Sequence, residues 1–110
     1  MTIFLKLQVS DKPEKKYYVD LQGSSGRTKR IYFGDSNAKD FTLFNALERE
    51  EHKRRYINRH QAREDWNLTG AETPGFWSRW ILWSRPTVKE SLNELLRKYP
   101  SLVKTRHDAS

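Results

Sequence analysis

Three groups of side chains in this 110-residue chain have types and spacings that could do chemistry. The first is basic: Lys53, Arg54 and Arg55 are followed by Arg59 and Arg63, with no acid until Glu64. Arg55, Arg59 and Arg63 step by four, so a helix would carry them as a ridge on one face. Such a ridge could neutralise successive phosphates of a nucleic acid. It could also grip the carboxylates of an acidic protein surface through paired N–H donors, or be a solvated face with local ion pairs. The second group is His60 with Glu64, followed by Asp65 and Trp66. A His and a carboxylate at i,i+4 could exchange a proton or begin a metal site. Two ligands do not complete a site, so the spacing is read as a latch: Glu64 or Asp65 bonds His60 or Arg59 and anchors the helix end over Trp66. The third group is the run Gly75-Phe76-Trp77-Ser78-Arg79-Trp80-Ile81-Leu82-Trp83. On a helix, Phe76, Trp80 and Trp83 share a face, with Trp77 beside them. These aromatics could stack on single-stranded bases, anchor a protein partner or cover the strands as core. Trp80 is assigned to the core and the latch. Trp77 and Trp83 stand as candidate anchors, and Arg79 as a cation over an indole.

Other chemistries find less support. Gly23-Ser24-Ser25-Gly26-Arg27 lacks the Gly-Lys-Ser/Thr ending of a phosphate loop and opens no helix. No Ser/His/Asp or paired-carboxylate arrangement has supporting context. The residues therefore predict a protein that is not an enzyme, with no metal and no cofactor; a nuclease using His60 and Glu64 is the third-ranked reading. The chain has no cysteine, which excludes disulfides, thiolate zinc sites and thiol catalysis. The longest apolar run, Trp80 to Trp83, predicts no membrane span, and Met1 to Lys6 predict no secretory leader. The 21 Lys and Arg against 14 Asp and Glu give +7, which favours anionic partners.

The elements that must position these groups fall into two halves. Ile3, Leu5, Leu7 and Val9 alternate with Phe4, Lys6 and Gln8, Tyr17, Val19 and Leu21 with Lys16, Tyr18 and Asp20, and Ile31 and Phe33 with Arg30 and Tyr32. Three strands within 1–34, joined by turns at Ser10–Pro13 and Gly23–Gly26, form a meander with one apolar face that must be covered. The second half, 42–99, supplies helices. A long charged helix is predicted over Thr42–Asp65, with a thin apolar side of Phe41, Phe44, Leu47, Tyr56 and Ile57. A short aromatic helix spans Phe76–Trp83. A third helix opens at Thr87, with Glu90 three residues on as a capping box, carries Val88, Leu92, Leu95, Leu96 and Tyr99 as its stripe, and stops at Pro100. The fold class is α+β: a small antiparallel N-terminal sheet of three strands covered by the long helix and two shorter C-terminal helices. Residues 1–103 form one domain, and 104–110 a frayed tail.

Tyr56-Ile57-Asn58-Arg59-His60, Glu64-Asp65-Trp66, the run from Gly75 to Trp83, Pro86-Thr87 and Glu90-Ser91 together resemble a family of small proteins from large double-stranded DNA viruses of eukaryotes, of the chlorovirus and mimivirus kind. Ile31-Tyr32-Phe33-Gly34 and Asp40-Phe41-Thr42 are similar to the strand and turn that precede that motif. The resemblance covers roughly residues 31–94, and the tryptophan-rich string is its most specific part. It implies a viral setting and supplies no catalytic residues. In that setting the expected role is a minor structural component of the particle that binds other capsid proteins, located in the virion and in the host cytoplasm during assembly. Lys53, Arg54, Arg55, Arg59, Arg63, Trp77, Arg79 and Trp83 would meet the partner; His60, Glu64, Asp65, Trp66 and Trp80 would hold the fold. A nucleic-acid-binding module using the same basic ridge is the alternative. Neither reading expects a small-molecule substrate.

Overall fold

The computed structural model describes residues 2–23 and 25–103, so the tail expected at 104–110 lies outside the described residues. Three antiparallel strands, β1 (Ile3–Val9), β2 (Lys15–Gln22) and β3 (Thr28–Asp35), pair in the order β1-β2-β3. Three helices follow: α1 (Arg49–His60), the short α2 (Pro74–Trp77) and α3 (Val88–Lys98). The architecture is the expected α+β sheet with helices.

The strand pattern differs from simple alternation at one place. The β1–β2 register shifts between Phe4 and Lys6, so Leu5 is an extra, bulged residue. Phe4 and Leu7, opposite Leu21 and Val19, therefore join the inner face, while Leu5 is left 45% exposed. Val19, Leu21, Ile31 and Phe33 complete that face. The cover is mostly aromatic. Phe76 and Trp77 of α2 are fully buried, and Phe4 stacks on Trp77 at 5.9 Å. Leu102, in a 3-10 turn spanning Pro100–Leu102, closes the β1 side.

The outer face of the sheet is polar and ordered. Asp20 accepts two hydrogen bonds from Arg30, from Nε at 2.7 Å and from a terminal nitrogen at 2.9 Å. Arg30 also lies 3.9 Å over the Tyr18 ring. The Arg30 hydrogen bonds hold the Asp20 carboxyl below its ordinary pKa. A depressed folded-state pKa means that the pair's stabilisation is complete above the usual aspartate range, about 3.9, and is lost as pH falls through the lower, folded value. Asp20→Asn is therefore expected to lower Tm at pH 6, and by progressively less as pH falls below the usual aspartate range. Thermal melts across that range check it; a gap that is independent of pH would show that the carboxylate charge is not what counts.

α1 is shorter than the predicted Thr42–Asp65 helix, for a local reason. Asp40 accepts the Thr42 N–H at 2.8 Å, and the Asn45 side chain accepts the N–H groups of Leu47 and Glu48 at 3.0 and 3.1 Å. These side-chain bonds offer the backbone an alternative to the helical ladder. Leu47, expected on the apolar stripe, precedes the helix and is 93% exposed. At the other end, Asp65 accepts the Asn67 N–H and the Thr69 hydroxyl and folds the chain into a turn. Only Tyr56 of α1 is buried, as the thin apolar side implied.

The predicted aromatic helix is α2 running directly into a wider π-helical segment, Ser78–Leu82. Thr73 caps its start by accepting the Phe76 N–H. α3 begins at the expected cap: the Thr87 hydroxyl accepts the Glu90 N–H at 3.1 Å and donates to the Glu90 carboxylate at 3.0 Å. The second half of the box is thus a bond between side chains rather than one to the Thr87 N–H. Gly34, at φ +83°, ends the inner face of β3 where Leu82 leaves no room for a Cβ.

Candidate functional site

The structure divides the predicted site residues into three sets. Trp77 and Trp83, expected as partner anchors, belong to the core. Trp77 has no exposed surface, and its Nε1–H donates to the Ala71 carbonyl at 2.7 Å. Trp83 is 8% exposed and lies flat against Tyr56, with ring centroids 4.5 Å apart. A chain with few aliphatic residues fills its interior with rings, so neither tryptophan can reach a partner without unfolding.

The arginine ridge does not form either. The helix ends at His60, which leaves Arg63 in the following turn, where it donates to the Arg59 carbonyl. Arg54 and Arg55 both pair with Glu51, so their charges are already partly met on the same exposed face. Arg59 stays exposed and lines a cleft of about 460 Å³ together with Tyr56, His60, Glu64, Lys16 and Asp40. In that cleft His60 Nδ1 is 3.5 Å from Glu64, and the His60 ring stacks on Tyr56 at 4.4 Å. Burial first, and then the Glu64 charge, push the Tyr56 phenol up to about 12. The latch is partly as expected: Glu64 meets His60, while Asp65 closes its own turn instead. Trp66 stacks beside Tyr56, and its carbonyl accepts the Trp80 indole N–H at 2.9 Å. Among the described residues, no three His, Asp or Glu side chains are grouped to hold a metal ion. No described helix is long and apolar enough to cross a membrane.

The remaining two predicted contacts, Lys53 and Arg79, converge elsewhere. Lys53 extends from α1, Arg79 and Trp80 from the π segment, and Arg97 and Lys98 from the last turn of α3. With Ser84, Arg85 and Glu94 they line a cleft of about 480 Å³. Lys53 donates to the Ser84 carbonyl at 3.2 Å, and Arg79 to the Trp83 carbonyl at 2.9 Å. Both cations thus sit at the carbonyl end of the π segment, where the helix dipole favours positive charge. Arg79 lies 4.5 Å over Trp80 and 5.4 Å over Trp66, so the expected cation over an indole is present. Arg79 Nε is buried without a hydrogen-bond acceptor.

The charges in this cleft are unbalanced. Arg85 donates to Glu94 at 2.6 Å, which holds Glu94 below its ordinary pKa. Lys53, Arg79, Arg97 and Lys98 have no carboxylate within ion-pair distance among the described residues. Burial, and then the nearby Arg79 charge, lower the Lys53 ammonium; burial likewise lowers Arg79. Sequence reading did not single out Arg85, Arg97 and Lys98. The available signal was the capped α3 helix, which places Glu94, Arg97 and Lys98 on neighbouring positions one turn apart. A π segment is uncommon and often marks a functional position; here it displays Arg79 and Trp80 in the cleft.

The fold and site define a small α+β domain with a cationic cleft between three helical segments. The chain matches no protein-family model, no curated protein and no solved structure.

Proposed function

We propose that the chain is a non-enzymatic interaction protein that docks on an anionic protein partner through the cleft of Lys53, Arg79, Arg97 and Lys98. One observation carries this reading: four cations share a concave site with no carboxylate of their own to meet. Two of them are partly desolvated, a cost that an incoming anion offsets. A protein partner is favoured over a nucleic acid by the same geometry. A duplex is gripped by a row of cations that follows its backbone, whereas here the row is broken and the free charges are gathered into one hollow. The resemblance to proteins of large DNA viruses supplies the setting: a minor structural component of the particle, bound to other capsid proteins.

Two measurements test this. Purified particles should contain the protein, with cross-links from Lys53 or Lys98 to a carboxylate-bearing capsid protein; absence from particles overturns the virion setting. In solution, an acidic polypeptide should bind saturably. Duplex DNA should bind weakly and without saturation at about 50 mM salt and be lost at about 200 mM. Tight saturable DNA binding that needs Arg55 and Arg59 would instead establish the nucleic-acid alternative.

A further inference from the structure

We infer that the cationic cleft is a receptor for a phosphomonoester, and that the partner presents it as a phosphorylated side chain. This rests on the proposed reading of the cleft and names the chemistry of its ligand.

The charges and donors of the cleft match a phosphoryl group better than a carboxylate. The cleft is lined by five basic side chains and one carboxylate, and the carboxylate already belongs to Arg85. A single partner carboxylate would add one negative charge and two oxygens to a site with four unmatched cations. A phosphorylated side chain adds close to two charges and three terminal oxygens. The donors are free to use them. An ammonium has three N–H groups, of which Lys53 commits one, to the Ser84 carbonyl. A guanidinium has five; Arg79 directs one terminal nitrogen at the Trp83 carbonyl and the Ser84 hydroxyl, which leaves its other terminal nitrogen without a hydrogen bond among the described residues. Arg97 and Lys98 make no side-chain hydrogen bond among the described residues and are exposed at the rim. Planar guanidinium groups beside flexible ammonium groups are the combination that binds phosphate oxygens both in pairs and as point charges.

The charge count also favours an end group over a through-running chain. A phosphodiester has two free oxygens and one charge. A terminal phosphate has three free oxygens and close to two charges. Lys53 and Arg79 are held against the Ser84 and Trp83 carbonyls before any ligand arrives, so little ordering is required of them on binding.

The test is a titration of the full chain, followed by amide resonances, with five probes at pH 7.5. They are a short phosphoserine peptide, the same peptide with Glu at that position, the same peptide with Ser, inorganic phosphate, and a dithymidine phosphodiester without a terminal phosphate. The phosphopeptide should bind at least about tenfold tighter than the Glu peptide, and the Ser peptide should not bind. Affinity should fall several-fold at pH 5.5, where a phosphate with a second pKa near 6 becomes largely a monoanion. Arg97→Gln with Lys98→Gln, both exposed and outside the core, should weaken it about tenfold or more. Arg55→Gln, which removes a charge outside the cleft, should leave it within about twofold. Lys53→Met, checked for an unchanged fold by circular dichroism, should weaken it comparably to the double variant. Equal binding of the Glu and phosphoserine peptides would overturn the phosphoryl assignment and leave the acidic-partner reading standing. Inorganic phosphate as tight as the phosphopeptide would make a free ion the ligand and overturn the peptide part. A diester bound as tightly as the monoester would point to nucleic acid and overturn both. No response of the cleft resonances to any probe would also overturn both.

Discussion

Trp77→Ala is expected to lower the unfolding free energy by about 4 kcal/mol, within the range found for emptying a large aromatic from a core. The side chain has no exposed surface, Phe4 stacks on one side of it, and Phe76 meets it edge-on at 5.3 Å. Small domains have a total stability of roughly 5–15 kcal/mol, so this single change removes a large share of it. The indole also donates to the Ala71 carbonyl, which would lose its partner in a buried place. Trp77→Phe separates the two contributions. It keeps most of the ring area, loses the N–H, and is expected to cost about 1–3 kcal/mol, the penalty for an unmet buried polar group together with imperfect packing. Urea titration of the three proteins checks the order. A surface anchor would behave oppositely: Trp77→Ala would leave stability within about 0.5 kcal/mol and abolish binding instead.

That contrast shows where sequence was a sufficient guide. The periods of β2 and β3, the Thr87–Glu90 cap and the helix stop at Pro100 all report bonds between residues close in the chain, and all three are present in the structure. Trp77 and Trp83 were ambiguous because their chemistry is the same on a surface or in a core; only the shortage of aliphatic residues argued for the interior. The Leu5 bulge was invisible because apolar residues at both 4 and 5 fit either register until β2 chooses one. The arginine ridge failed at its last member: α1 stops at His60, before Arg63, and Asp65 accepts the Asn67 N–H in the turn that follows. The cationic cleft was the least legible feature. It assembles Lys53, Arg79, Arg85 and Arg97 from segments far apart in the chain, and no local pattern carries that information.

Gly70→Ala is expected to destabilise the protein by about 3 kcal/mol, although it adds one methyl group to a turn, because its cause is a backbone clash. Gly70 ends a 3-10 turn, Leu68–Gly70, that folds back against Asp65. A Cβ at this position would fall on the Asp65 carbonyl and its Cβ, which cannot swing aside as the tip of a long side chain could. Relieving the overlap means opening the turn. Doing so stretches the Gly70 N–H bond to the Asn67 carbonyl, 2.8 Å, and the Thr73 hydroxyl bond to the Gly70 carbonyl, also 2.8 Å. Thr73 caps α2, and Trp66, which accepts the Trp80 indole N–H, begins the same turn. The strain therefore passes both to the aromatic core and to the wall of the cationic cleft. Gly23→Ala is the matched control. Its Cβ would meet nothing closer than 3.9 Å, so it should change stability by less than about 0.5 kcal/mol. Equal melting temperatures for the two variants would mean that the turn yields easily, and that Asp65 and Gly70 do not fix the position of Trp66. A large loss in Gly70→Ala alone, accompanied by weaker anion binding in the folded fraction, would tie this turn to the geometry that holds Arg79 and Trp80 in place.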